Sequence, residues 1–458
     1  GDGDVFDNST ALNASLVTDD QRAGLYIFGQ NRHRSAYDHD GDGYSEIPKL
    51  HGQTIGFRSF LKTTTYSKLT FEYHHMEEFR RGGDLLNRPP HEANVAEQTE
   101  HSINGGGLKF DYFSPNENHR FNVFASAQHI NRDSYYGPGD RDPLDAYGNT
   151  TDLNWMAGSQ YVYSFGKCIF MPSDLTAGIE FNQDKLEDNM WGYNRTVDQK
   201  VNIGSAFLQN EWKNDHWGFL IGGRLDKHNL IDHVIFSPRA NLRYNPTENI
   251  NLRFSYSSGF RAPQAFDEDL HVENVGGNVA MVELADNLKE ERSQSLSASA
   301  DIYHRFGAFQ VNFLVEGFYT KLSDVFALTD GEVVDGILTR TRHNASGAQV
   351  LGLTLEGKMA YLNKIQVQAG VTLQQSHYSK PHIWNKEAPA VKKMMRTPNT
   401  YGYFTATYTP VKPLSIALSG TYTGSMLIPH EPVPGFLDKP ITVNTEDLSL
   451  IHISEPTR

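Results

Sequence analysis

The 458-residue chain has one cysteine, Cys168. A single thiol cannot close an internal disulfide, and no CxxC or Cys/His spacing surrounds it. Disulfide scaffolds and zinc ribbons are therefore excluded. Long apolar runs are also missing. No stretch approaches the ~18 residues of a membrane-crossing helix, and the mean hydropathy is −0.52. That leaves room for a strand-built membrane protein, whose lipid-facing residues alternate with polar ones. Basic charge is short: 41 Lys and Arg against 55 Asp and Glu give a net charge of −14. Such a balance argues against a nucleic-acid surface and suits divalent cations better. No Pro/Ser-rich linker and no composition shift divides the chain. A length that would ordinarily suggest two or three domains thus reads as one repetitive β structure. HExxH, glycine-rich phosphate loops and motif-placed triads or carboxylate pairs are all lacking, so no enzymatic chemistry is expected.

What is present is alternation. In 236–263, FSPRANLRYNPTENINLRFSYSSGFRAP, Ala240, Leu242 and Tyr244 alternate with Asn241 and Arg243. After Asn-Pro-Thr-Glu-Asn, Ile250, Leu252, Phe254 and Tyr256 alternate with Asn251, Arg253, Ser255 and Ser257. Period-2 alternation on both sides of a turn predicts an antiparallel hairpin with one apolar face. The wording of this stretch, SPR, then Y-x-PT, LR, SY and GFRAP, resembles the mid-barrel hairpin of TonB-dependent outer-membrane receptors. The run Asn287-Leu288-Lys289-Glu290-Glu291-Arg292-Ser293 resembles that family's NPNLKPE box, with Asp286 and Glu290 at positions where proline is frequent there.

The same rhythm predicts about eighteen strands, from 11–18 to 414–426. Every second connection is short, such as Asn214–His216 and Leu362–Lys364. The others are long: 35–48, 82–97, 136–151, 188–199, 263–289, 327–337 and 378–396. Short turns on one rim and long loops on the other are the pattern of an all-β transmembrane antiparallel barrel. The family barrel has 22 strands, so residues 1–447 are expected to form a partial barrel without plug, first strand and last strands. An open seam is expected between 11–18 and 414–426. Residues 448–458 (LSLIHISEPTR) resemble translated sequencing adapter and are expected to lie outside the fold.

The sharpest local motif is Asp38-His39-Asp40-Gly41-Asp42-Gly43-Tyr44-Ser45-Glu46. Asp38, Asp40, Asp42 and Glu46 carboxylates with the Tyr44 carbonyl would wrap oxygens around Ca²⁺ as a structural ion. The EF-hand spacing is incomplete, and the other reading is a solvated acidic turn. His271 lies between the two family boxes, where haem receptors carry a haem-ligating histidine and many siderophore receptors an incidental one. Tyr135, Tyr136, Trp191, Tyr193 and Trp384 fall in or beside long loops. They would stack on a planar ligand or serve as rim aromatics. Arg224, Arg239, Arg243 and Arg253 are expected to face the lumen.

The resemblance implies active uptake of a scarce, bulky nutrient, foremost an iron complex, either siderophore or haem. Cobalamin or oligosaccharide uptake, and a non-transporting surface barrel or adhesin, are the alternatives. Implied partners are TonB through an N-terminal box, a small-molecule metal chelate, outer-membrane lipid and a surface lipoprotein. The expected location is the outer membrane of a Gram-negative bacterium.

Overall fold

A computed structural model describes residues 6–38, 41, 43–138, 146–191, 195–263, 279–334, 337–362, 364–382, 390–427 and 447–454. In chain order the strands are β1 (Asp7–Val17), β2 (Ala23–Arg34), β3 (Ser45–Thr64), β4 (Ser67–Gly83), β5 (Val95–Phe113), β6 (His119–Pro138), β7 (Tyr147–Cys168) and β8 (Met171–Met190). They continue with β9 (Arg195–Lys213), β10 (Trp217–His228), β11 (Ile235–Thr247), β12 (Ile250–Arg261), β13 (Val279–Leu284), β14 (Glu291–Phe306), β15 (Phe309–Ser323) and β16 (Phe326–Val334). The last are β17 (Ile337–Asn344), β18 (Ala348–Tyr361), β19 (Ile365–His382), β20 (Val391–Lys393), β21 (Thr400–Val411), β22 (Leu414–Leu427) and β23 (Asp447–Ser454). Twenty of them share one sheet, and β13, β17 and β16 form a separate small one.

The large sheet is a meander. Each wall strand pairs antiparallel with the next, β14 following β12 and β18 following β15. Local chemistry sets the turns. At Asn214 the side-chain oxygen accepts the N–H groups of His216 (3.0 Å) and Trp217 (2.7 Å). That Asx turn reverses the chain in three residues. Among the described residues β1 pairs only with β2, and no pairing joins β1 to β22 or β23. Segment 447–454, expected outside the fold, lies antiparallel to β22 as β23.

The registers sort the side chains. Leu242 sits opposite Phe254, and Phe254 opposite Ala298. Alternation predicts Phe121, Val123, Leu252, Phe254, Val311, Phe313, Val367 and Val371 on the lipid face; six of them are exposed, and Val311 and Val367 are half-buried. On the other face Arg243 sits opposite Arg253, Asn312 opposite Lys358, and Gln368 opposite Thr405. An apolar exterior and a polar interior are what lipid and a water-filled lumen select. Near the short turns the exterior becomes aromatic. Trp217 stacks on Tyr244 (4.1 Å) and Phe219 (5.7 Å), and Phe170 on Trp212 (5.5 Å). Amphipathic rings of this kind sit at a bilayer interface.

Two sequence expectations are corrected. Alternation reads 338–361 as one of the eighteen strands, but it is two, β17 and β18, and the loops expected at 263–289 and 327–337 contain β13 and most of β16. The break at 345–347 comes from Gly347. A Cβ there would lie 2.3 Å from the Leu322 carbonyl oxygen, so only glycine lets the chain pass so close to β15 as it changes sheet. Alternation persists on both sides of the break, which is why the pattern read as one strand.

Candidate functional site

The candidate site is the lumen together with its long-loop rim. Deep in the lumen, Arg224 gathers partners from three strands. Its Nη2 meets Glu180 Oε1 (2.9 Å) and Ser205 Oγ (2.7 Å), and its Nε meets Asp226 Oδ1 (2.8 Å). Ser205 also donates to Asp226 at 2.6 Å. Beside it opens a cavity of about 540 Å³ lined by Gln160, Glu180, Gln209, Arg224, Arg239 and Ser257 among others. Arg239 is hydrogen-bonded to Gln209, and Arg243 donates to the Asn214 carbonyl (2.8 Å). All four arginines expected in the lumen thus stand on the polar face. Arg243 and Arg253 face each other directly, so this wall presents positive charge inward.

Higher on the wall a second network lies almost out of water. Arg132 Nη2 donates to Thr150 Oγ1 (2.7 Å), and Thr150 donates to Asp188 Oδ1 (2.6 Å). Arg132 and Asp188 are 3.5 Å apart, with side chains 8% and 2% exposed. Charge in so dry a setting requires its partner. Above them are Tyr136 and Met190. Tyr135, on the next position, faces the opposite side of β6 by strand alternation. There its ring meets Tyr147 edge-on at 4.8 Å. Tyr147 in turn is 2.9 Å from His91 Nδ1, in the loop between β4 and β5. Both tyrosines are buried in one cluster with Ala96, Ala146 and Met190. They brace the rim, one from each side of the wall.

A third assembly joins the two sequence boxes. Pairing of β12 with β14 sets Arg261 opposite Glu291 and Phe260 opposite Arg292. Glu290 is buried. It receives Arg292 (2.7 Å) and His233 (3.0 Å), the latter from the loop between β10 and β11. Burial pushes the Glu290 carboxyl upward. Hydrogen bonds from Arg292, its own backbone N–H and His233 outweigh that and hold it below its ordinary value. Glu291 accepts the Phe326 N–H (3.1 Å), and the Arg261 guanidinium lies 5.7 Å from the Phe326 ring. Asn344 accepts from the Lys289 N–H (2.7 Å) and donates to the carbonyls of Lys289 (3.0 Å) and Asp324 (2.8 Å). Ile231, Ile235, Ala262 and Phe260 form the apolar floor. The boxes therefore staple the small sheet to the barrel.

In the acidic loop, Asp38 Oδ1 accepts the Gly41 N–H (2.7 Å) and Oδ2 the Gly43 N–H (2.9 Å). Both glycines have positive φ, +78° and +90°, so the loop folds back over this carboxylate. Asp40, Asp42 and the Glu46 side chain lie outside the described residues, and Tyr44 is exposed. Trp191 stands 64% exposed just past β8. His271, Tyr193 and Trp384 lie outside the described residues. Arg132, Asp188, His233 and Asn344 escaped the sequence reading. For Arg132 the signal was its place in the inward-facing rhythm of Asn122, Ser126 and Gln128. The other contacts join distant segments and leave no local trace.

A meander with a polar lumen, an apolar exterior and an aromatic girdle defines a transmembrane β-barrel of the bacterial outer membrane. More specifically, the chain belongs to the family described as TonB dependent receptor-like, beta-barrel, whose sequence model matches residues 4–436. No curated protein matches it in sequence. Solved structures share the fold at low identity. The siderophore receptor PirA from Pseudomonas aeruginosa superposes with a TM-score of 0.69 at 13% identity, over 92% of this chain and 69% of that one. A mutant of the ferric enterobactin receptor PfeA from the same organism gives 0.72 at 14%, over 92% and 66%. The outer membrane transporter YddB from Escherichia coli gives 0.69 at 10%, over 98% and 67%. The chain spans about two thirds of the length of these structures.

Proposed function

We propose that this chain is the barrel of an outer-membrane receptor that takes up an iron–siderophore complex, energised through TonB. The carrying observation is the family match over residues 4–436, and the likeness to siderophore receptors narrows the cargo. The chemistry agrees. Ferric siderophores are large, polar and frequently anionic. A lumen with Arg239, Arg243 and Arg253 on its wall offers them opposite charge. In this reading Trp191, with Tyr193, Trp384 and His271 in the long connections of the sequence, supplies the first contacts, while Tyr135 and Tyr136 hold the rim. Transport needs no covalent step. The barrel binds and orients, and the energy arrives through TonB. The test is growth of an iron-starved, receptor-deficient Gram-negative host expressing the protein, supplied with single iron sources. Rescue by one ferric siderophore supports the assignment. Rescue by haem alone, or cobalamin uptake without iron uptake, overturns it.

We also propose that loop 38–46 holds Ca²⁺ as a structural ion. Asp38 accepts the backbone N–H groups of Gly41 and Gly43, which folds the loop around its carboxylate. Asp40, Asp42, Glu46 and the Tyr44 carbonyl would complete an all-oxygen set suited to a hard ion. Calorimetry on the parent and Asp40→Ala decides the matter. Loss of Ca²⁺ heat in the variant is expected, and identical titrations refute the site.

A further inference from the structure

The hairpin of β2 and β3 carries two histidines at its long-loop end. His33 lies directly opposite His51. Their ring centres are 6.0 Å apart, and the ring planes are inclined at 67°. Both stand on the outer face of the wall. By alternation His33 shares its side of β2 with Leu25 and Ile27, and His51 shares its side of β3 with Ile55. Those three residues are exposed and apolar, as a lipid-facing surface requires. The histidines lie past that apolar band, next to the loop that carries Asp38. His33 is half-buried and His51 exposed, so the pair is open to water.

A lack of partners sets the two apart. His75, His91, His119 and His233 each have a ring nitrogen within 3.0 Å of an oxygen, which fixes the ring. Among the described residues His33 and His51 form no hydrogen bond, and their ring nitrogens are uncommitted. Aromatic neighbours limit how far the rings turn. The Phe6 ring centre is 6.5 Å from that of His33, and Phe79 lies directly opposite His51 on β4. Imidazole nitrogen suits zinc, copper and nickel ions. Zn–N bonds of about 2.0–2.1 Å place two imidazoles on one tetrahedral ion with ring centres roughly 5 Å apart. The observed 6.0 Å closes to that value with a small rotation of either side chain. Directly opposed residues already have Cβ atoms about 4.5–5.5 Å apart, so the backbone need not move.

We infer that His33 and His51 form a binding site for one divalent transition-metal ion, foremost Zn²⁺, on the outer wall of the barrel. Two protein nitrogens hold the ion, and water completes its coordination. A closed structural zinc site uses four protein ligands. With two, this site is exchangeable and takes its ion from solution. The ion joins β2 to β3 at the base of the acidic loop and holds that end of the hairpin together. Its ligand class differs from that of loop 38–46. Carboxylates and carbonyls suit Ca²⁺, whereas imidazoles select softer ions. The inference is independent of the cargo and of Ca²⁺ in that loop.

The experiment is Zn²⁺ calorimetry on the full chain in detergent, first stripped of metal with a chelator. Loss of even a residue that only supports a metal ligand typically costs 10–100-fold in affinity. His33→Gln/His51→Gln should therefore weaken the tightest zinc-binding event by about tenfold or more. Each single variant should lose nearly as much, because one imidazole cannot chelate. Excess Ca²⁺ should leave the zinc in place, and Asp40→Ala should bind zinc as the parent does. Hydrogen exchange locates the ion: Zn²⁺ should slow exchange at the amides of 31–34 and 50–53 in the parent and not in the double variant. Undiminished zinc binding by the double variant overturns the site, as does displacement by Ca²⁺ or loss of zinc binding in Asp40→Ala. Protection that appears elsewhere, or persists in the double variant, also overturns it, because other side chains would then hold the ion.

Discussion

Two arcs of the wall reach the long-loop rim by different means. From β3 to β9 the strands have 17 to 22 residues, and backbone pairing continues to the top. From β10 to β12 they have 12 or 13, and the height is made up by the small sheet of β13, β16 and β17. The tall arc is secured from inside by Arg132, Thr150 and Asp188. The low arc depends on side chains of the two family boxes, Glu290 and Arg292 with His233, and on Asn344. A continuous ladder satisfies its own backbone and needs side chains mainly to set the wall's inner chemistry. An added sheet has no such ladder to the barrel, so specific residues must bridge it. That is the physical account of why the recognisable wording of this sequence clusters at 236–263 and 287–293 and not along the taller strands.

The comparison breaks first if the tall arc does not need its buried pair. Arg132→Ala removes the cation that lies 3.5 Å from the nearly water-free Asp188 carboxylate. The expected loss is about 3–5 kcal/mol, read by urea unfolding in detergent, and Asp188→Asn in the same background should recover part of it. A loss below about 1 kcal/mol would mean that water reaches Asp188 and that the network does not hold the wall. Next comes the facing of the low arc. Phe254→Arg should cost about 2–4 kcal/mol in lipid, while Ser255→Arg, one residue on and inward, should cost much less. Equal folding yields would reverse the lipid and lumen faces. Third, Glu290→Ala should cost about 1–3 kcal/mol at the junction, because Arg292 and His233 are then left side by side. Limited proteolysis should cut the small sheet and spare β7 and β8. Cleavage spread evenly over both arcs would show that the two are one cooperative unit.

Most of the wall was legible because a half-lipid, half-lumen strand must alternate, and because short and long connections segregate to opposite rims. Ile250 to Ser257 carried that signal in eight residues. The small sheet was not legible. β17 and β18 share one alternating pattern, and only the proximity of Gly347 to Leu322 separates them. The inward-facing arginines were found as a class, yet their partners were not, since Glu180 is 44 residues from Arg224 and His233 is 57 from Glu290. Pairing at such separations is set by register, which a single sequence does not print. Tyr135 and Tyr136 illustrate the remaining gap. Their proximity to a loop was readable, but not that one supports the wall from outside and the other from within.

The smallest expected effect tests whether the low arc alone responds to acid. In the folded chain the Glu290 carboxyl is held below its ordinary value of 4.5 by Arg292, its own N–H and His233, against the opposing push of burial. A depressed carboxyl stabilises the fold fully above the unfolded value, and that contribution is lost as pH falls through the folded value. Protonation leaves Arg292 and His233, 3.4 Å apart, without the carboxylate between them. Hydrogen exchange should therefore show the amides of β13 and β17 losing protection as pH drops below about 4.5, ahead of those in β7 and β8. Glu290→Gln should show the lower protection already at neutral pH and no further step in that window. Loss of protection in both arcs at the same pH, or an unchanged step in Glu290→Gln, would assign the acid response to other carboxylates and remove Glu290 as the staple of the small sheet.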